Sequence, residues 1–378
     1  MGNTPKYVQI VEEIESDIRN GVYAPGDRLP TEKSLMQRYG VSRIVASTAF
    51  SNLVARGLIV RSQGKGSFVA DSAGEGTAPR WAQKKTIAVV MPDIRSNYSI
   101  RLSEELVRAA DAAGYFSAFY FTGNVKAAEE EILSALTNDR SEANRYAGLL
   151  LASCSSGEYG PALLALADSG LPTVLFDRSL PGLPLTCVQT DNRKAVRLAT
   201  RYLINAGHRS IMLCLRSTGR VTSMFERIEG FLEEMSSHRI LIDPSMIVRK
   251  INHPDQMDYL KKALLEHRAT AVICLNSGSY LAVINGIREC GLRIPEDISV
   301  VTVDSLRGEV NDILCEPAHI EQNTQEIAAL AVQKLLEQMK QGVPHTAATL
   351  LVEPDMVGGG TVCACHTADF QGQPVQGS

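Results

Sequence analysis

Apolar residues recur at helical spacing over the first seventy positions and in short unbroken runs beyond them. Ile10, Ile14 and Ile18 repeat every four residues with Val11 beside them. That spacing predicts an amphipathic helix opened by Thr4 and Pro5 and ending near Gly21. In "LPTEKSLMQRYG", Thr31 serves as the next N-cap, Leu35, Met36 and Tyr39 form the inward face, and Gly40 ends the helix. Ser42 then caps a third helix with Ala46, Ala49, Phe50 and Leu53 inside and Gly57 at its end. Two short helices joined by a tight glycine turn form a helix-turn-helix. "LIVRSQGKGSFV" adds two short strands around Gly64 and Gly66, a hairpin that would form a wing.

Residues 71–85 are small and polar, contain Gly74, Gly76 and Pro79, carry no apolar period and read as a linker. Beyond it, apolar runs at 86–91, 147–152, 172–176, 210–215, 270–275 and 298–303 alternate with stretches of helical period such as 101–113, 127–137, 192–206 and 323–340. Continuous apolar strands separated by helices predict parallel sheets covered on both faces. The fold class expected is therefore α/β with a small helical head. Residues 356–378 read as a polar, disordered tail, and no internal sequence repeat is visible.

Charge sharpens this division. Residues 1–70 hold nine basic and six acidic side chains, leaving 29 basic and 36 acidic of the chain's 38 and 42 for the remainder. A slightly basic head on an acidic body suits a nucleic-acid-binding head. No apolar run of membrane-spanning length and no secretory signal pattern are seen, so a soluble cytoplasmic protein without membrane partners is expected. The eight cysteines are scattered and are expected to be reduced. No G-x-G-x-x-G follows a strand, "GKGS" lacks the P-loop order, and His-Glu-x-x-His, Cys-x-x-Cys and nucleophile elbows are missing. Neither an enzyme nor a resident cofactor or metal is expected, the "CACH" at 363–366 being assigned to the tail.

The blocks "PGDRLPTE", "YGVSR", "LVARGLI" and "GKGSFV" occur in the order found in the winged helix-turn-helix of the GntR regulators, which residues 5–69 resemble almost throughout. The resemblance implies DNA contacts at Lys33, Ser42 and Arg43 and, in the wing, at Gln63, Gly64 and Lys65. Where that family typically carries two threonines and an arginine on the DNA-facing side, this chain has Ile44, Val45 and Ser47. Ile44 and Val45 either meet thymine methyl groups in the major groove or pack inward.

"IAVVMPDI", "LPTVLFDR", "TDNRKAVRLATRYLINAGHRSI", "ERIEGF" and "PEDISVVTVDS" make residues 86–355 similar to the effector-binding domain of LacI/GalR repressors. That implies a two-lobed, type I periplasmic-binding-protein-like fold, with lobe 1 at about 86–188 and 318–342 and lobe 2 at about 189–317 and 343–355. A GntR-type head on such a body resembles the AraR type of arabinose repressor. In open α/β lobes small molecules bind beyond the carboxyl ends of strands. Ser96, Asn97, Tyr98, Asp177, Asn276 and Asp304 lie there, and the resemblance adds Arg227. Carboxylates, amides and a guanidinium suit a neutral polyol, whose hydroxyls both donate and accept. The expected function is a homodimeric transcription regulator, a repressor of carbohydrate-use genes, that binds operator DNA and responds to a sugar-like effector between its lobes. The alternative is a sugar receptor with weak or lost DNA binding.

Overall fold

The computed structural model describes residues 6–55, 58–62, 66–70, 85–138, 146–154, 157, 159–216, 221–251, 253–266, 269–306, 316–342 and 347–365. The chain divides into two compact units, Met1–Lys85 and Thr86–Ser378. The proposed capping pair Thr4 and Pro5, Gly57 and most of the linker lie outside the described residues.

The head contains α1 (Lys6–Arg19), α2 (Glu32–Tyr39), α3 (Arg43–Ala55) and the antiparallel hairpin of β1 (Ile59–Ser62) and β2 (Gly66–Val69). Thr31 caps α2 by accepting the Ser34 N–H at 3.2 Å, and Gly40 ends it at φ 61° with its N–H on the Met36 carbonyl. A side chain there would strain the left-handed backbone, so the turn between α2 and α3 depends on glycine. Ile10, Val11, Ile14 and Ile18 meet Leu35, Ala46, Ala49, Phe50 and Leu53 in one core. The segment before α2 runs along β2, with Val69 N–H donating to Asp27 O at 2.8 Å and Leu29 N–H to Ser67 O at 2.9 Å.

The body is built on two six-stranded sheets. The first uses β3 (Thr86–Met91), β4 (Phe116–Phe121), β5 (Tyr146–Leu151), β6 (Thr173–Phe176), β7 (Thr186–Thr190) and β13 (Thr349–Val352), in the order β13-β7-β6-β5-β3-β4 and all parallel. The second uses β8 (Ile211–Cys214), β9 (Ile247–Val248), β10 (Ala271–Cys274), β11 (Ser299–Val303), β12 (Ala318–Glu321) and β14 (Asp355–Val357), in the order β14-β12-β11-β10-β8-β9. Only β14 runs antiparallel to its neighbour there. The two sheets repeat one strand order although the sequence shows no repeat. Helices cover both faces, and strands such as Ile87–Val90 and Ala271–Cys274 are fully buried, which explains their unbroken apolar character.

Two assignments made from the sequence change. Ala318–Glu321 pairs with β11 in the second sheet and therefore belongs to lobe 2, not lobe 1. Thr349–Val352 pairs with β7 in the first sheet and belongs to lobe 1, not lobe 2. The helix Thr324–Gln341 does belong to lobe 1, where Ile327, Ala328, Ala331, Val332 and Leu335 enter its core. The chain thus passes between lobes near 191, 322 and 353, and short strands on either side of a crossing carry no signal of the lobe they join.

The tail expected from 356 is also packed as far as the description reaches. Met356 and Val357 lie in β14, and Thr361 both donates to Val300 O at 2.6 Å and accepts from Ala318 N–H at 3.0 Å. Cys363 Sγ lies 3.1 Å from Pro295 O. Residues 366–378 are outside the described residues. Among the described residues the cysteines are free, no group could hold a metal ion, and no helix is long and apolar enough to cross a membrane.

Candidate functional site

In the head, α2, α3 and the hairpin surround a concavity of about 900 Å³ lined by Arg28, Thr31, Glu32, Lys33, Arg43 and Arg61 among others. Four basic side chains face one carboxylate there. Glu32 accepts from Arg61 at 3.1 Å and lies 3.9 Å from Arg43, whose side chain remains 84% exposed. Arg61 also lays its guanidinium 5.5 Å from the centre of the Phe50 ring. A cationic hollow at the start of two helices suits a phosphate-lined ligand.

Lys33 and Arg43 line this concavity and are exposed, and Ser42 is exposed as well. Ser42 also accepts a long 3.5 Å contact from the Val45 N–H, and Ser47 is half-buried. Val45 is half-buried and packs in part against the head core. Ile44 lies in α3, but its side chain is outside the described residues, as are Gln63, Gly64 and Lys65. Arg28 and Arg61 escaped the sequence reading. Arg28 stands within "PGDRLPTE", and Arg61 shares the strand face of the buried Ile59 but stays exposed, its guanidinium over the Phe50 ring and bonded to Glu32.

In the body, equivalent ends of the two sheets place Asp177 after β6 and Asp304 after β11. Both residues adopt left-handed backbone, at φ 67° and 79°. Both donate their N–H at 3.0 Å to the neighbouring strand, Asp177 to Val188 O and Asp304 to Ile320 O. The carboxylates thereby project beyond the sheets instead of continuing them. Tyr98, in the first turn of the helix Asn97–Ala112, donates its hydroxyl to Asp177 Oδ1 at 2.8 Å, and Arg178 holds Oδ2 at 3.0 Å. Burial pushes the Tyr98 phenol well above its ordinary pKa, reinforced by the charges of Asp177 and Asp304 and opposed by Arg227. Asn97, beside Tyr98, bonds across the cleft to Ser305, beside Asp304, which brings the Tyr98–Asp177 pair of one lobe toward Asp304 of the other.

Arg227 is 4% exposed and donates Nε–H to Asn192 Oδ1 at 2.8 Å and an Nη–H to Leu275 O at 2.5 Å. Among the described residues no carboxylate comes within salt-bridge distance of it. A buried guanidinium held by neutral acceptors keeps unspent electrostatic attraction. Glu226 beside it takes N–H bonds from Gln189 at 3.0 Å and Asn192 at 3.1 Å, and burial raises its pKa despite them and the Arg227 charge. Asp304 accepts from Gln322 Nε2, and Gln322 in turn accepts the Thr190 hydroxyl at 2.6 Å.

The remaining sequence candidates have local partners. Ser96 and Asn276 cap the helices Asn97–Ala112 and Ser277–Glu289, each inside a capping box with Ser99 and Ser279. Asn97 crosses the cleft, donating Nδ2–H to Ser305 O at 3.2 Å. Thr222 makes a second crossing to Ser179 O at 3.0 Å. Arg178, Glu226, Gln189, Asn192 and Gln322 were not anticipated. Their polar side chains sit at strand ends and helix starts, where turn chemistry and site chemistry use the same residue types.

Residues 6–69 match the family "Bacterial regulatory proteins, gntR family", and residues 200–362 match "Periplasmic binding protein-like domain". The chain is 25% identical over 368 residues to the arabinose metabolism transcriptional repressor of Halalkalibacterium halodurans, covering 93% of this chain and 95% of that one. The repressor of the same name from Geobacillus stearothermophilus is 24% identical over 366 residues, covering 93% and 96%. Among solved structures, a LacI family transcriptional regulator from Enterococcus faecium with bound ribose superposes with a TM-score of 0.61 at 20% identity, covering 74% of this chain and all of that one. The transcription regulator CcpA of Lactococcus lactis gives 0.63 at 19%, with 74% and 100% covered. Residues 6–69 thus match the gntR family of regulatory proteins and residues 200–362 a periplasmic binding protein-like domain, and the body shares the fold of these LacI-type structures.

Proposed function

We propose that the chain is a DNA-binding transcription regulator, a repressor of carbohydrate-use genes controlled by a neutral sugar-like effector bound between its lobes. The observation that carries this reading is the approach of the Tyr98–Asp177 pair to Asp304 across the cleft of a chain whose head matches the gntR family. Three carboxylates and two guanidiniums in one cleft offer hydroxyls both acceptors and donors, and no surplus positive charge selects an acid. Both relatives spanning nearly the whole chain are named as repressors of arabinose metabolism, and a neighbour in fold holds ribose. The regulator acts as a homodimer on a two-half-site operator, with Arg43 reaching base edges and Arg28, Lys33 and Arg61 meeting phosphates. It works by binding rather than by catalysis. Effector contact with both lobes favours one lobe arrangement and so changes how two heads match their half-sites.

The test is thermal unfolding of the intact chain with L-arabinose, D-xylose, D-ribose, D-galactose and D-galacturonate, followed by binding to operator fragments selected from random DNA. A sugar at about one hundred times its Kd adds about 2.7 kcal/mol of stability, and the same sugar should alter DNA affinity. Stabilisation without any selectable DNA site would favour the receptor reading. No response to any sugar, together with unchanged DNA binding, would overturn the effector assignment.

A further inference from the structure

Gln322 lies where the chain makes its second passage between lobes and is 3% exposed, next to Thr190, 1% exposed, at the first passage. The Thr190 hydroxyl donates to Gln322 Oε1 at 2.6 Å, and Gln322 Nε2 donates to Asp304 Oδ1. The orientation of the amide follows from chemistry, since an ionised carboxylate only accepts and must face the NH2 end, leaving the carbonyl end for a hydroxyl. Asn192 adds a bond from its Nδ2–H to Thr190 O at 3.1 Å and also holds Arg227, so the same passage reaches both charged groups of lobe 2. Asn97 and Thr222 cross between the lobes through half-buried groups, whereas every residue in this chain of bonds is buried.

We propose that Gln322 is a positioning residue, a strut that fixes the Asp304 carboxylate to the interlobe hinge through Thr190. Movement of that carboxylate toward an effector changes the angle between the lobes, and a change of angle moves the carboxylate. Asp304 in turn faces the Tyr98 hydroxyl, which lies in the field of Asp177 and Arg227. The coupling is reciprocal because one hydrogen-bonded unit spans both places. The effector half of this inference rests on the proposed function; the hinge half does not.

The experiment uses the intact chain with spin labels on unnatural side chains at Glu104 of lobe 1 and Asp258 of lobe 2, and measures their distance distribution without added ligand. Thr190→Val and Gln322→Met should broaden or displace the distribution, while Thr190→Ser, which keeps the hydroxyl, should match wild type. Gln322→Glu places a second carboxylate beside Asp304, which raises the proton affinity of the pair. Its distribution should match wild type at pH 5 and depart from it at pH 8, a pH profile that a packing role would not produce. Wild-type distributions in Thr190→Val and Gln322→Met, with no pH dependence in Gln322→Glu, would overturn the strut. In a second arm, L-arabinose, D-xylose and D-ribose are titrated by calorimetry, and whichever binds wild type should bind Gln322→Glu about tenfold more weakly at pH 8 than at pH 5. Failure of all three sugars on wild type counts against the effector and leaves the strut to be decided by the distances alone.

Discussion

Replacing Tyr98 by phenylalanine removes one hydroxyl and leaves the ring in place. The lost bond is a half-buried 2.8 Å contact to a carboxylate. Hydrogen bonds to charged groups contribute about 1.5–3 kcal/mol. Asp177 keeps Arg178 on its other oxygen at 3.0 Å, so the carboxylate is not left unpaired and the lower end applies. A loss of about 1.5 kcal/mol would lower the unfolding midpoint of the body by about 3 °C. The deficit should be constant from about pH 6 to about pH 9 and shrink above that. Burial and the two nearby carboxylates hold the folded phenol protonated, whereas the unfolded one ionises near pH 10, so folding takes up a proton there and wild type loses stability as pH rises. Calorimetric unfolding of wild type and Tyr98→Phe at several pH values, with and without a stabilising sugar, reads both effects. Equal stability with an undiminished sugar response would refute the account of Tyr98 as a hydroxyl donor to Asp177 at the cleft.

Further outcomes follow from the same geometry. Arg43→Ala should cost about 1–3 kcal/mol of operator affinity if its exposed guanidinium reads a base, whereas Lys33→Ala should weaken binding to all sequences and flatten its salt dependence in anisotropy titrations. Asp304→Ala should keep operator binding but lose sugar-induced stabilisation, measurable by pairing calorimetry with DNA titration on one sample. Glu234, fully buried, is held by Arg201 at 2.7 Å and Arg197 at 3.0 Å, and those guanidiniums depress its pKa against the effect of burial. A depressed folded pKa adds stability that is fully present above the unfolded value near 4.3 and is lost as pH falls through the lower, folded value, so the disadvantage of Glu234→Gln should shrink progressively as pH falls below about 4 in urea unfolding. Gly230→Ala would place a methyl group 2.2 Å from Arg193 O and should force the helices Asn192–Asn205 and Thr222–Ser237 apart, costing about 1–3 kcal/mol in the same assay.

Much of this arrangement was legible where one physical cause acts locally. The Ile10–Ile18 spacing, the Thr31 cap and the Gly40 stop each specify their own turn, and Thr86–Met91 could only be a doubly covered strand. Phe116–Phe121 was not recognised as a strand, because as the edge of its sheet it is only half-buried and its aromatic residues carry no clean alternation. The lobe membership of Ala318–Glu321 and Thr349–Val352 depends on partners more than a hundred residues away in one case and on sheet order in both. Within the site, Asp177 and Asp304 were readable from their places after apolar runs. Gln322 and Glu226 acquire their roles from Thr190, Gln189 and Asn192, which only the folded chain brings to them.

The threefold passage of the chain between lobes governs how the body can be made. Lobe 1 needs the helix Thr324–Gln341 to cover Val89, Leu150 and Val174, and it needs Thr349–Val352 to complete its sheet beside β7. During synthesis residues 86–190 form a sheet of which one face is covered by the helix Asn97–Ala112 alone, and lobe 2 up to Val303 lacks the two strands beyond β11. Both cores close only once residues 318–357 have been made. A nascent chain therefore exposes its largest apolar faces late and together, which makes early release, chaperone capture and C-terminal truncation consequences of the connectivity itself. For the same reason neither lobe can be cut out as one continuous fragment, and a soluble single lobe would require splicing distant segments through a new turn.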